Sequence, residues 1–292
     1  MANGPASMRS TRSRFASPRS ARKLRSWPMA FDLDSVLPAP IGCSPATGRV
    51  ETLKKDGYLR GSPAEWSAGP IPVGFPDWTT FARSWDRLDP DCWMGDGGGY
   101  RRRRFAAFHL DEGSISLKRH QPHYQSRQHN RLNGGFARWF SPVERAIAVH
   151  PVTITLLQIG EALAGALARW TEPAWHAEMH QFRIAADAME TGHPTPEGLH
   201  RDGVSAVLMM LVGRHNVAGG VTTITEDGRF LAEVTLSQPR DAVFLDDSRL
   251  HHCVSPITAA DNDRPGWRDA LVLTFRPART FSSPALKETH DG

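Results

Sequence analysis

A histidine and an aspartate stand two residues apart within the segment 196–203, immediately before an apolar run. On an extended strand, residues i and i+2 point to the same face, so the side chains of His200 and Asp202 should project together. A neutral imidazole and a carboxylate on one face can occupy two neighbouring positions of a divalent metal ion. A third ligand can come from the histidine pair in the later segment 246–257. Two histidines and one carboxylate on one side of an iron ion leave three positions open for other ligands.

A bare His-x-Asp is common in proteins, so the specificity lies in an ordered set of motifs. Pro-Glu-Gly-x-His-x-Asp-Gly at 196–203 is followed by Gly219-Gly220, then Asp-Asp-x-Arg-x-x-His-x-Val-Ser-Pro at 246–256, then the strand-like run 268–275. This set resembles the bacterial Fe(II)/2-oxoglutarate dioxygenases that include the free L-amino-acid hydroxylases, such as the isoleucine and leucine hydroxylases. The resemblance is strongest over residues 178–276, looser from residue 57, and absent before Met29.

The resemblance implies an Fe(II) ion held by His200, Asp202 and His252. Adjacent residues of a strand face opposite ways, so only one histidine of the pair can point inward. The family pattern places the ligand two residues before the valine of Val-Ser-Pro, which selects His252 over His251. Other donors in the same segment are better explained as turn, supporting or small buried residues: Asp246, Asp247 and Cys253.

The cosubstrate 2-oxoglutarate carries a second carboxylate, which the planar fork of an arginine matches best. Arg268 opens the last predicted strand, where the family has its 2-oxoglutarate arginine, and Arg264 and Arg276 are the alternatives. The resemblance implies that O2 and 2-oxoglutarate yield succinate and CO2 while an unactivated C–H of the substrate is hydroxylated. Related halogenases have a small residue in place of the carboxylate ligand, so Asp202 favours hydroxylation.

Two other classes of function compete with this interpretation. One is a cupin-like dioxygenase or isomerase that binds a metal on a jelly roll without 2-oxoglutarate. The other is a non-enzymatic binder, for example of nucleic acid through the basic tail at 1–28, which the net charge of +4 suggests. No aromatic side chains for base stacking alternate with the arginine run 101–104, which is expected to be solvated. We therefore expect a small-molecule substrate and no nucleic-acid partner.

Many short strand-like segments separated by tight turns predict a mainly β fold with flanking helices, a jelly roll. In the family that the motifs resemble, this fold is the double-stranded β-helix. Helices are predicted at 48–58, 78–88 and 151–170, the last of them backing the main sheet. Strands are predicted at 100–110, 114–118, 179–185, 203–212, 220–225, 229–236, 242–245, 251–257 and 268–276.

The predicted strand 179–185 has two different faces. His180, Phe182 and Ile184 share one face, while Gln181 and Arg183 share the other. A polar face suits a barrel mouth that binds a polar ligand, although the same residues can simply be solvated. The polar segment 120–133 is predicted to be a substrate-facing loop through Gln125, Arg127 and Asn130. The candidate substrate contacts are Gln181, Arg183, Glu197 and Arg201.

The composition of the chain is ordinary for a globular protein, with 292 residues, 40% hydrophobic and 23% charged. No apolar run reaches the length needed to span a bilayer, and three scattered cysteines favour a reducing cytoplasm. Residues 1–28 hold seven basic and no acidic residues, which leaves 28 basic against 31 acidic residues elsewhere. The prediction is a disordered basic tail at 1–28, or an over-extended start before Met29, and one domain at 29–292.

Overall fold

The computed structural model describes residues 47–62, 75–111, 113–168 and 174–278, which all lie in one compact unit of the chain. The predicted disordered tail at 1–28 lies outside these residues. The helices are α1 Thr47–Asp56, α2 Trp78–Arg83, α3 Arg145–Ala148 and α4 Pro151–Leu167, with a 3-10 turn at Ser84–Arg87. The strands are β1 Tyr58–Gly61, β2 Arg101–Asp111, β3 Ser114–Leu117, β4 Ala174–Ala186, β5 Ala206–His215, β6 Val217–Gly219, β7 Val221–Glu226, β8 Arg229–Thr235, β9 Ala242–Asp246, β10 Leu250–Val254, β11 Ile257–Ala259 and β12 Gly266–Pro277.

The strands form one large and two small antiparallel sheets. In the described part of the chain, the large sheet runs β1-β9-β5-β12-β4-β2-β3, and the smaller ones run β10-β7-β8 and β11-β6. The chain passes repeatedly from the large sheet to a small sheet and back, which is the jelly-roll pattern predicted from the spacing of short strands. The fold is therefore a double-stranded β-helix, as the motifs indicated.

The core lies between the large sheet and the β10-β7-β8 sheet. Side chains of β5 and β9 in the large sheet pack there against side chains of β7, β8 and β10. Alternation along each strand directs every second side chain into this space, so both sheets bury one face together. The buried members of this cluster are Val207, Met209, Leu211, Ile224, Val234, Leu236, Val243, Leu245 and Leu250.

The predicted strands 220–225 and 229–236 are joined by a hairpin turn at Glu226-Asp227-Gly228. Asp227 and Gly228 have φ values of 49° and 80°, which are the positive angles that a type I′ turn requires. Two other predicted boundaries were wrong. The first helix ends at Asp56 because Gly57 adopts a φ of 77°, and the chain then continues as β1. The predicted strand 251–257 is divided between β10 and β11, since Pro256 has no amide hydrogen to donate to a ladder.

The arginine run at the start of β2 was predicted to be solvated, and this was wrong for two of its members. Arg101 and Arg103 are buried, whereas Arg102 and Arg104, which point to the other face, are more accessible. Each buried guanidinium lies near the buried carboxylate of Asp91, at 2.7 Å for Arg101 and 4.0 Å for Arg103. Because side chains alternate along β2, two of the four consecutive arginines point into the interior.

Helix α4 covers the outer face of the large sheet, as predicted. Gly160 faces Phe275 of β12 so closely that a β-carbon at this position would lie 2.0 Å from the ring atom Cζ. We expect Gly160→Ala to lower the free energy of unfolding by about 1–3 kcal/mol, because the ring must move out of a filled site. The measurement is urea denaturation followed by circular dichroism.

A second glycine of α4 provides the matched control. A β-carbon on Gly165 meets no atom within 4 Å, so Gly165→Ala should leave stability unchanged or raise it by up to about 1 kcal/mol through helix propensity. Equal losses in both variants would mean that the close approach of Gly160 to Phe275 is not what fixes the helix on the sheet.

Candidate metal centre and its cavity

His200 and His252 are brought together by a backbone bridge between the segment before β5 and strand β10. The amide of His200 donates to the carbonyl of His252 at 3.0 Å, and the amide of His252 donates back at 2.8 Å. This pairing places both side chains on the same side of the bridge, with ring centroids 4.6 Å apart. Residues widely separated in sequence thus present two imidazoles to one point.

The carboxylate of Asp202 lies between the two imidazoles. Its Oδ1 is 3.7 Å from Nε2 of His200, and its Oδ2 is 3.7 Å from Nε2 of His252. One donor atom from each of the three residues lies within 4.8 Å of the others. Adjacent ligands of a metal with bonds of about 2.1 Å are roughly 3 Å apart, so a small inward movement satisfies a divalent ion.

Nε2 of each imidazole faces the carboxylate of Asp202 and is the nitrogen available to a metal ion. Nδ1 of His200 is 2.9 Å from the carbonyl oxygen of Gly198, so this nitrogen is the natural donor and Nε2 keeps its lone pair for a metal. Nδ1 of His252 is buried without a hydrogen-bond partner, and its nearest carboxylate oxygen, on Asp247, is 3.9 Å away. His251 does not line the cavity, whereas His252 does.

The charges of the three residues are coupled. Burial lowers the pKa of His200, but the adjacent Asp202 carboxylate outweighs burial and raises that pKa to about 9. Burial and the charge of His200 lower the pKa of His252 to about 4. Burial opposes ionisation of Asp202, yet the two imidazoles hold the pKa of its carboxyl below the ordinary value. The carboxylate therefore attracts a cation, and a divalent metal ion can replace the proton on His200.

Asp247 holds the segment that carries Asp202. Its two carboxylate oxygens accept hydrogen bonds from the backbone amides of Asp202, Gly203 and Val204 at 2.9, 2.8 and 3.0 Å. Asp246, by contrast, accepts from the backbone and hydroxyl of Ser248 in a turn. Neither aspartate belongs to the group of three converging donors.

We expect Asp247→Asn to weaken Fe(II) binding by about 10–100-fold, the usual effect of removing a group that orients a metal ligand. An asparagine keeps one acceptor oxygen and presents an amide that opposes a backbone N–H. Asp246→Asn is the control, since its remaining oxygen still accepts from Ser248 and the affinity should change less than about threefold. Metal titration under anaerobic conditions measures both values. Equal affinities for the two variants would contradict the role assigned to Asp247.

Arg268 lies in the same cavity as the three converging residues, near the start of β12. It is 4% exposed, and its Nε has no hydrogen-bond partner. Burial and the neighbouring charge of Arg214 lower the pKa of Arg268 to about 10, so the site favours an anionic partner. Gly220 of the Gly219-Gly220 motif lies close to this side chain, because a β-carbon on Gly220 would be 3.1 Å from Cδ of Arg268.

The cavity is open to solvent and encloses ≈ 1040 Å³ when its mouth is included. Apolar side chains line part of its wall near the converging triad, and arginines, histidines and carboxylates line the remainder. The apolar members include Val204, Met209, Val254, Ala270 and Val272. The arrangement can hold a metal ion beside an anchored anion and a second ligand.

Three predicted substrate contacts do not reach this cavity. Gln181 donates to the hydroxyl of Ser84 at 2.9 Å, and Arg183 pairs with Asp269 at 2.7 Å. Both lie on the outer face of β4, where polar groups satisfy one another beneath the 3-10 turn. Arg201 donates to the carbonyl of Ser248 at 2.8 Å, which fixes it outside the cavity. Of the four predicted contacts, only Glu197 lines the cavity.

The inner face of β4 carries the residues that the sequence interpretation missed. His180, Phe182 and Ile184 line the cavity together with Arg103 and Arg138 from other segments. The predicted loop contributes Gln125 and Asn130 but not Arg127. Alternation alone shows which residues share a face, and the available signal for the inward face was the large apolar Phe182 and Ile184.

A second group of donors in the cavity consists of His123, Glu178 and His180. The carboxylate of Glu178 already has three partners. Its oxygens lie 2.9 Å from His123, 3.1 Å from His176 and 3.3 Å from Arg276. Nδ1 of His180 is 2.8 Å from an Nη of Arg103. These contacts make the group a hydrogen-bond network in which each of the three residues already has a partner.

A jelly roll with two imidazoles and one carboxylate converging inside it defines the class of mononuclear non-haem iron enzymes. The chain belongs to the 2OG-Fe dioxygenase family, whose sequence profile matches residues 82–274. It is therefore an iron- and 2-oxoglutarate-dependent dioxygenase, with Fe(II), 2-oxoglutarate and O2 as cofactor and cosubstrates. This assignment favours the main interpretation of the sequence over the cupin-like alternative.

Two curated relatives act on isoleucine or its derivatives, according to their names. The chain is 26% identical over 182 residues to the 3(1)-hydroxy-L-isoleucine 4-dioxygenase of Pantoea ananatis (strain AJ13355), covering 61% of this chain and 73% of the relative. It is 22% identical over 193 residues to the L-isoleucine-4-hydroxylase of Bacillus thuringiensis, covering 61% and 75%.

Two solved structures share the fold. A bsmA homolog from Methylobium petroleophilum PM1 superposes with a TM-score of 0.72 at 32% identity, covering 79% of this chain and 92% of that one. The structure of IDO from Bacillus thuringiensis gives a TM-score of 0.66 at 18% identity, covering 79% and 98%. Among the described residues, no helix combines the length and apolar character needed to cross a bilayer.

Proposed function

We propose that this enzyme hydroxylates an unactivated C–H of a free L-amino acid or a closely related small polar molecule, with release of succinate and CO2. In this proposal His200, Asp202 and His252 hold the Fe(II) ion. The observation that carries it is the convergence of these three donors in one cavity with Arg268, whose buried guanidinium faces no carboxylate of the described residues. The names of the two curated relatives support an amino acid as substrate.

The protein residues have distinct roles in this proposal. The bound iron supplies, with 2-oxoglutarate and O2, the oxidising power for C–H cleavage. Arg268 binds the far carboxylate of 2-oxoglutarate, which fixes the direction of the cosubstrate relative to the triad. His200, Asp202 and His252 occupy one side of the metal site and leave the other side free. Val254 and Val272 supply apolar wall to the cavity that receives the substrate.

The test is succinate release in the presence of Fe(II), 2-oxoglutarate and O2, measured with each of the proteinogenic amino acids in turn. One or more amino acids should stimulate succinate release and gain one oxygen atom by mass spectrometry, in equal amounts. Omission of iron or treatment with a chelator should abolish both products. The absence of stimulation by every free amino acid would reject the proposed substrate class.

Three further aspects belong to the same proposal. Residues 29–292 form one catalytic domain after a basic tail at 1–28. The enzyme works in the cytoplasm, which the small number of cysteines supports, and both cysteines in the described residues are free thiols. Its partner is a small molecule and not a nucleic acid. Fractionation of cells that express the protein tests the compartment directly.

A further inference from the structure

The cavity contains two buried guanidinium groups that have no carboxylate within ion-pairing distance among the described residues. One is Arg268, the proposed anchor of 2-oxoglutarate. The other is Arg138, which is 1% exposed and whose Nε has no hydrogen-bond partner. The remaining arginines of the cavity are Arg101, Arg103 and Arg276, and each of these lies within 4.0 Å of a carboxylate.

The surroundings of Arg138 increase its demand for an anion. Its Nη2 has one distant contact, 3.5 Å from Oε1 of Gln125. The nearby carboxylate of Asp91 is bound by Arg101 at 2.7 Å. Burial and the charge of Arg101 lower the pKa of Arg138 to about 10, although the charges of Asp91, Glu197 and Glu178 act in the opposite direction. A buried guanidinium is stable only when a carboxylate or a similar acceptor binds it.

Arg138 lies one side chain away from the metal centre. Gln125 accepts from Arg138 through Oε1 and donates through Nε2 to Oδ1 of Asp202 at 3.2 Å. The amide of Gln125 is further fixed by Asn130, which donates to Oε1 at 3.1 Å. An anion bound to Arg138 is therefore held beside the metal site, on the side of β2 and β4.

A buried carboxylate oxygen without a partner faces the same space. Oε2 of Glu197 is buried and makes no hydrogen bond with the part of the chain that the structure describes, and its side chain is 13% exposed. Oε1 of the same residue is 3.6 Å from Nε2 of His200. Glu197 and Arg138 both line the cavity. Among the described residues, the cavity thus offers an arginine without a carboxylate partner and a carboxylate with one oxygen that accepts no hydrogen bond.

We infer that Arg138 binds the α-carboxylate and Glu197 binds the α-ammonium group of a free amino acid zwitterion. This inference rests on the proposed function and adds which residues select the substrate. Two uncompensated arginines match the two carboxylates that must enter, one from 2-oxoglutarate and one from the amino acid. The single ammonium matches Glu197. Amides, esters and residues inside peptides lack the free carboxylate, so the site should reject them.

The experiment is equilibrium binding measured by calorimetry under anaerobic conditions, with Mn(II) and 2-oxoglutarate bound to the full chain. The probes are L-isoleucine, L-isoleucinamide and 3-methylpentanoate, or the same trio built on the amino acid that releases succinate fastest. The unaltered protein should bind the amide and the deaminated acid at least about 100-fold more weakly than the amino acid. This comparison does not depend on the folding of any variant.

The variants assign each preference to its residue. In Arg138→Gln the amino acid and its amide should bind within about threefold of each other, because the partner of the carboxylate is gone. In Glu197→Gln the amino acid and the deaminated acid should likewise bind within about threefold of each other. Arg138→Lys keeps the charge and should retain part of the preference for the carboxylate. Arg87→Gln removes an exposed arginine paired with Glu144 and should leave all affinities unchanged.

The outcomes separate this inference from the proposed function. If the unaltered protein binds an amino acid but Arg138→Gln still prefers it to its amide by 100-fold, the inference is overturned and the proposed function stands. If Arg138→Gln loses the preference while its affinity for 2-oxoglutarate and its melting temperature are unchanged, the inference is supported. If the unaltered protein binds no free amino acid, the proposed function and the inference both fall.

Discussion

Replacing His252 with alanine is expected to lower succinate formation by roughly 1000-fold or more, which corresponds to about 4 kcal/mol. His252 supplies one of three donors that lie within 4.8 Å of one another, and its Nε2 faces the carboxylate of Asp202. Two remaining donors bind Fe(II) weakly and leave the site open to loss of the metal. The measurement is succinate release at saturating 2-oxoglutarate, together with the iron content of the isolated protein.

The adjacent residue gives a control of the same chemical type. His251 pairs with Thr225 on β7 and does not line the cavity, so its imidazole lies outside the metal site. His251→Ala should keep iron content and succinate formation within about threefold of the unaltered protein. If His251→Ala were inactive and His252→Ala active, the third ligand would be the other histidine of the pair.

Replacing Arg268 with alanine is expected to raise the KM for 2-oxoglutarate about 100-fold or more, because a buried charge-assisted pair is lost. The guanidinium is 4% exposed and faces no carboxylate of the described residues, so the cosubstrate is its natural partner. Iron binding should be unchanged, since Arg268 is not among the converging donors. Steady-state kinetics with varied 2-oxoglutarate provides the test.

The two other arginines considered for this role are in different situations. Arg264 pairs with Asp261 on the surface at 2.8 Å, so Arg264→Ala should leave the KM for 2-oxoglutarate unchanged. Arg276 is near Glu178 at 3.3 Å, at the opposite end of the cavity-facing side of β12. If Arg264→Ala strongly raised the KM for 2-oxoglutarate and Arg268→Ala did not, the cosubstrate would bind outside the cavity.

Many short strand-like segments separated by tight turns were sufficient to predict the jelly roll, and the helical spacing of apolar residues in 151–170 predicted the helix that backs it. The alternation of side chains along a strand placed Gln181 and Arg183 together, but it does not say which face of a strand points inward. The prediction that this polar face of β4 binds the ligand was wrong. Gln181 donates to Ser84, and Arg183 pairs with Asp86 and Asp269, on the side of the sheet away from the cavity. Sequence reasoning had no means of knowing that the outer face had polar partners available.

The residues that the sequence interpretation missed are brought in by long-range pairing. Arg138 reaches the cavity because its backbone bridges with His123, within segments that have no regular period. Arg101 and Arg103 stand in a run of four arginines, and composition alone suggests a solvated run. Their burial depends on Asp91, a carboxylate outside the run that no local pattern connects with them.

The most direct test of the central claim is a crystal structure of the protein grown anaerobically with Fe(II) and 2-oxoglutarate, with iron located by its anomalous scattering. We expect one iron bonded at about 2.1 Å to Nε2 of His200, a carboxylate oxygen of Asp202 and Nε2 of His252. The far carboxylate of 2-oxoglutarate should lie against Arg268. Iron bound instead by His123, Glu178 and His180 would contradict the assignment of His200, Asp202 and His252 as its ligands.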